Sequence, residues 1–85
     1  MQLNEAIRIR INYFLKKKGF KSLWELYKNS GVPKSTINSL LGTEKTNLPR
    51  LPTLLHILEG LDTNLYEFFN DPMFIDVEDS SEDKQ

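Results

Sequence analysis

Apolar residues recur along this chain at helical spacing. Between Asn4 and Lys18, Ile7, Ile11, Phe14 and Leu15 fall at i, i+4, i+7 and i+8, one face of a helix. Ile7-Arg8-Ile9-Arg10-Ile11 also alternates apolar and polar, which by itself suits a strand. The length of the segment, its Lys-rich end and the stop at Gly19 favour the helix. Ser22-Leu23-Trp24-Glu25 has the form of a capping box, with Ser22 as cap and Glu25 reaching back to its amide. A second helix is therefore expected up to Gly31, since glycine readily takes the left-handed conformation that ends a helix sharply. Pro33, with its fixed φ and no amide proton, predicts the first position of a third helix through Lys34-Ser35-Thr36-Ile37-Asn38-Ser39-Leu40 to Leu41, closed by Gly42. So brief a turn between two short helices makes them cross steeply.

Thr43 to Arg50 reads as a polar loop, and Leu51, Leu54, Leu55, Leu58 and Leu61 then mark a fourth helix with Pro52 in its first turn. Asn64-Leu65-Tyr66-Glu67 is a second capping box, opening a short fifth helix with Leu65, Phe68 and Phe69 on one side and Pro72 as its stop. Met73 to Val77 is a short apolar stretch, and the acidic run from Glu78 to Asp83 is expected to be disordered.

Length and composition narrow the class. Eighty-five residues make one domain with a modest core, for which marginal stability or dimerisation is expected. No apolar run approaches the ~18 residues of a membrane span. Met1-Gln2-Leu3-Asn4-Glu5 does not open a secretory signal, and the absence of cysteine excludes disulfides and thiolate metal sites, so a cytoplasmic protein is expected. The formal net charge of −1 hides a strong asymmetry. Residues 1–50 hold ten Lys and Arg against three acids, and residues 51–85 hold one Lys against nine. A basic half suits a polyanionic partner, although charge separation also arises for solubility alone.

The third helix sharpens that reading. Helical geometry puts Lys34, Ser35, Asn38 and Ser39 on one side and Ile37 and Leu40 on the other. One side can hold the helix to the domain while the other offers donors and acceptors of the kinds that read base edges or phosphates. The plainer alternative is a solvated polar face.

The chain resembles the lambda-repressor-like (Xre) helix-turn-helix family over residues 4–70. The resemblance is carried by Leu26, Gly31, Val32, Ile37 and Leu40 within 22–42, by Asn47, Pro49, Leu51, Thr53 and Leu54 after it, and by Leu61 through Phe69. It implies an all-α, five-helix DNA-binding domain over 1–70 with a helix-turn-helix at about 22–42; beyond it, composition marks 71–85 as an acidic C-terminal extension, flexible at its end. The resemblance further implies a transcriptional regulator, a repressor, that binds double-stranded DNA at a palindromic operator as a homodimer. Lys34, Ser35, Asn38 and Ser39 would read bases in the major groove, Lys34 at guanine O6/N7 and Asn38 at adenine N6/N7. Ser22, Lys45, Thr46 and Asn47 would contact phosphates. Two positions depart from the family pattern. Leu23 stands where glutamine is common, and Tyr27 stands where alanine usually lets the two helices cross closely. A ring at 27 must turn outward or spread the helices.

Leu65, Phe68 and Phe69, continued by Phe74 and Ile75, supply more apolar surface than a five-residue helix needs, which marks a dimer interface. In the alternative, Phe74 and Ile75 fold back on the first helix. Lys16, Lys17 and Lys18 suit dipole compensation at a helix end. Trp24 is either a backbone contact or a packing residue. His56 stands alone on the outer side of the fourth helix, and no carboxylate dyad, Gly-rich phosphate loop or nucleophile elbow accompanies it. No enzyme activity, metal, cofactor or membrane partner is expected. The rival function is an antitoxin or protein-binding adaptor that keeps the fold without the DNA binding; Leu23 and the acidic 71–85 segment, a possible protein-partner site, support it. The acidic tail itself would either compete with phosphate for the basic surface or serve solubility.

Overall fold

The computed structural model describes residues 1–42 and 48–79. Five helices follow one another: α1 Leu3–Lys17, α2 Leu23–Ser30, α3 Lys34–Leu41, α4 Leu51–Gly60 and α5 Leu65–Phe69, with a 3₁₀ turn at Pro72–Phe74. The described residues are thus all-α and contain no strand. Ile7-Arg8-Ile9-Arg10-Ile11 is helical, because Ala6, Ile7, Ile11 and Phe14 make a continuous buried stripe only at helical spacing. Leu26, Val32, Ile37, Leu40, Leu54, Ile57, Leu58, Leu61 and Phe68 complete the core. No helix among the described residues is long and apolar enough to cross a membrane.

Several local expectations are corrected. The fourth helix buries Leu54, Ile57, Leu58 and Leu61, whereas Leu51 is 66 % exposed and Leu55 also faces outward. The buried stripe runs i, i+3, i+4, i+7 from Leu54, so Ile57 takes the place expected for Leu55. Pro33 caps α3 instead of opening it: its ψ of 144° is extended, and its carbonyl accepts from the amides of Thr36 and Ile37 at 3.0 and 3.2 Å. The Ser22 capping box does not close. The exposed Ser22 hydroxyl makes no capping bond, and Glu25 Oε1 accepts from the Lys21 amide, one residue earlier than expected. By contrast, Asn64 Oδ1 caps α5 by accepting from the Glu67 amide at 2.9 Å, while the Glu67 carboxylate accepts from Thr63 Oγ1.

α2 packs most extensively against α4. Gly60 makes this possible, since a Cβ there would lie 2.7 Å from Ser30 Cβ and 2.8 Å from Ser30 Cα. At the other side of the core, Arg10 of α1 is 8 % exposed. Its Nε donates to the Phe68 carbonyl at 2.7 Å and its Nη2 to the Glu67 carbonyl at 2.8 Å. Its Nη1 lies 3.4 Å from Asp71 Oδ2. The guanidinium thereby closes the C-terminal end of α5, where carbonyls lack helical partners.

The start of the C-terminal extension is docked. Phe74 packs on the core, and the chain then returns to the N-terminus, where Leu3 donates its amide to Glu78 O at 2.7 Å and Glu78 donates to Met1 O at 3.0 Å. Glu78, expected at the start of a disordered run, is thus held by backbone pairing. The remainder of that run, from residue 80, lies outside the described residues.

Candidate nucleic-acid interface

Gly31 sets the geometry of the α2–α3 pair. Its φ of +72° is left-handed, its amide closes α2 on the Tyr27 carbonyl at 3.1 Å, and the chain reverses into α3 within three residues. The Ser30 hydroxyl steadies the turn by accepting from the Val32 amide at 3.1 Å. Leu26, Val32, Ile37 and Leu40, all buried, then anchor both helices from beneath.

With those anchors down, Lys34, Ser35, Asn38 and Ser39 are all exposed on the outer side of α3, the side expected for them. α2 contributes to the same region. Tyr27 does not turn out into solvent but packs against the core on the α3 side of α2. It is half-buried, its hydroxyl donates to Asn38 Oδ1 at 2.8 Å, and its ring lies 5.7 Å from the Lys34 ammonium. One turn earlier, Trp24 is 59 % exposed with Lys28 Nζ 4.5 Å from its ring, so Trp24 is a surface residue and not a packing one. Two cations, two aromatic rings and an amide therefore line the helix pair. Such a set can hydrogen-bond base edges, pair with phosphate and stack on sugars or bases.

Of the residues expected to contact phosphate, only Ser22 is among the described residues. Ser22 is exposed at the N-terminus of α2. Leu23, the residue after it, is half-buried in a shallow groove of about 400 Å³ with Leu15, Phe20 and Leu41, so an apolar side chain is at home there. Lys45, Thr46 and Asn47 lie outside the described residues. Sequence reasoning missed Arg50. It is exposed at the start of α4 and, with Thr53, lines an open groove of about 440 Å³ whose opposite wall is Ser35 and Ser39 of α3. The available signal was a cation closing the polar loop that follows α3. Of the three consecutive lysines, Lys18 is engaged within the chain: its Nζ donates to the Asp62 carbonyl, 44 residues away, at 2.8 Å. Lys17 lies 5.7 and 5.8 Å from the rings of Tyr13 and Phe14.

The expected dimer residues divide. Phe68 is fully buried and is removed from the candidate interface, while Phe69 and Phe74 are half-buried against the core and keep only part of their surface exposed. Phe68 lies between its partners at ring separations of 6.1 Å to Phe14, 5.0 Å to Phe69 and 6.0 Å to Phe74. Edge and offset contacts of this kind satisfy the aromatic surface within one chain. Phe74 folds back, as the alternative had it, but Ile75 does not: it is 81 % exposed, and Leu65 is 38 % exposed. His56 faces outward, and no cluster of His, Asp or Glu among the described residues is arranged to hold a metal ion. Compared with protein-family models, curated proteins and solved structures, the chain matches none.

Proposed function

We propose that this protein is a lambda-repressor-like, Xre-type regulator that binds double-stranded DNA in a sequence-specific manner, with α2 and α3 as its helix-turn-helix. The observation that carries the reading is the division of α3: Ile37 and Leu40 are buried while Lys34, Ser35, Asn38 and Ser39 are exposed together. α3 enters the major groove, Lys34 and Asn38 meet base edges, and Ser22 and Arg50 meet phosphates on either side. Repression follows from occupying a promoter.

One such unit reads few base pairs, so a homodimer on a palindromic site doubles the contacts. Leu65 and Ile75, both exposed, are its main apolar contacts. Replacing both with Glu is expected to leave a monomer in sedimentation at tens of micromolar and to abolish preference for paired half-sites. A wild-type monomer with and without DNA removes the dimer from the proposal.

Selection of bound sites from a random duplex pool tests the central claim. An enriched palindrome supports it, as does a log–log salt slope corresponding to several phosphate contacts. Recovery of random sequence, with no salt-dependent binding to duplex, refutes it in favour of the protein-binding adaptor. Exposed Trp24 would then belong to a protein interface, where tryptophan is commonly an anchor.

A further inference from the structure

We infer that Tyr27 is a positioning residue for base reading, its hydroxyl holding the Asn38 amide and its ring holding the Lys34 ammonium. The inference rests on the DNA-reading assignment of α3 and adds to it a residue from the neighbouring helix.

Tyr27 touches two of the side chains assigned to base reading, from one half-buried ring. An exposed asparagine ordinarily samples several rotamers, and ordering it on a base lowers affinity by the freedom lost. Here the phenolic proton is directed at Asn38 Oδ1 at 2.8 Å, so much of that freedom is already gone before DNA arrives. The bond leaves the chemistry of reading intact. An amide oxygen has two acceptor sites and the amide nitrogen two protons. After Tyr27 takes one acceptor site, one acceptor and two donors remain, enough for the N6 donor and N7 acceptor of adenine. Guanine offers two acceptors and no donor on that edge, and the held amide oxygen would face its O6 unfavourably. The ring acts separately. Its face attracts the Lys34 ammonium 5.7 Å away and restrains a long, flexible side chain at the start of α3.

The two actions are separable by substitution. Tyr27→Phe removes the hydroxyl and keeps the ring; Tyr27→Leu removes both. The first readout needs no DNA: the side-chain amide of Asn38 in the free protein, followed by NMR relaxation. It is expected to be ordered in wild type and mobile in Tyr27→Phe. The second is relative affinity for the selected site against the same site with the Asn38-contacted A·T pair changed to G·C. Tyr27→Phe is expected to lower that discrimination about two- to twelve-fold. Discrimination at the Lys34-contacted pair should survive in Tyr27→Phe and fall in Tyr27→Leu. With Asn38 already replaced by Ala, Tyr27→Phe should change nothing further at the A·T pair, a result that a merely structural tyrosine would not give. Unchanged discrimination in Tyr27→Phe, beside a wild type that discriminates, overturns the positioning role and leaves DNA reading standing. An equally ordered Asn38 amide in both proteins also overturns it. A wild type without sequence preference overturns both the DNA-reading assignment and this inference.

Discussion

The α1–α5 junction and the α2–α3 surface use their cations in opposite ways. At the junction, Arg10 is sealed in with its donors directed at the Phe68 and Glu67 carbonyls and the Asp71 carboxylate. On the α2–α3 surface, Lys34 is exposed with its ammonium 5.7 Å from the Tyr27 ring, and the exposed Asn38 keeps its amide nitrogen outside any hydrogen bond among the described residues. A buried polar group must be satisfied within the chain, because leaving it unpaired costs about 1–3 kcal/mol. An exposed one is satisfied by water and can exchange that water for a partner. The comparison assigns stability to the first region and leaves the second free to carry the recognition proposed for it.

The largest expected effect lies at the junction. Arg10→Ala removes the donor of the buried Phe68 carbonyl contact, while the Glu67 carbonyl keeps the Asn70 amide and Asp71 keeps the Met73 amide, and urea unfolding should record a loss of about 2–3 kcal/mol. Arg10→Lys should recover less than half of it, because an ammonium cannot reach three acceptors in the fork geometry of a guanidinium. A loss below about 1 kcal/mol for Arg10→Ala would place Arg10 among ordinary surface cations. Gly60→Ala probes the support beneath the recognition surface. Its Cβ meets the Ser30 backbone, which cannot move aside as a side chain would. Overpacking of that kind should destabilise by about 1–3 kcal/mol and displace α2 against α4.

On the recognition surface the signs reverse. Lys34→Ala and Asn38→Ala should each weaken binding to the selected site by ~1–3 kcal/mol and relax preference at one base pair. Unfolding midpoints should scarcely move, since both side chains are exposed. If either substitution costs stability and leaves binding intact, the contrast between the regions fails. Arg50→Ala should weaken all sequences alike and flatten the salt slope by about one unit, as one phosphate contact is lost.

The smallest effect concerns the end of the chain. Truncation after Val77 removes the Glu78 pairing with Met1 and Leu3, so a stability loss of about 1 kcal/mol should accompany it. Truncation after Asp79 keeps that pairing and isolates the acidic end. If the end competes with phosphate, this second variant should bind random duplex more tightly at low salt, with the difference fading as salt screens both partners. Equal non-specific affinity assigns it to solubility.

The division between sequence and tertiary structure follows from how far each decisive interaction reaches along the chain. Helical periodicity, the left-handed Gly31, the Asn64 cap and the polar side of α3 are settled within a few residues, and each was legible as a local pattern. Charge asymmetry and the candidate reading residues were equally local. Arg10 looked like one cation among many, because its acceptors lie 57 and 58 residues away. Phe68 looked like surplus apolar surface until Phe14 and Phe74 closed around it. Tyr27 looked like an obstacle to helix crossing, and its hydroxyl found Asn38 only because Gly31 turned α3 back beside it. Residue type and spacing determine which secondary elements form and which sides of them are apolar. Which polar groups are enclosed, and which remain exposed for a partner, is decided only when elements distant in sequence pack and compete for the same buried volume.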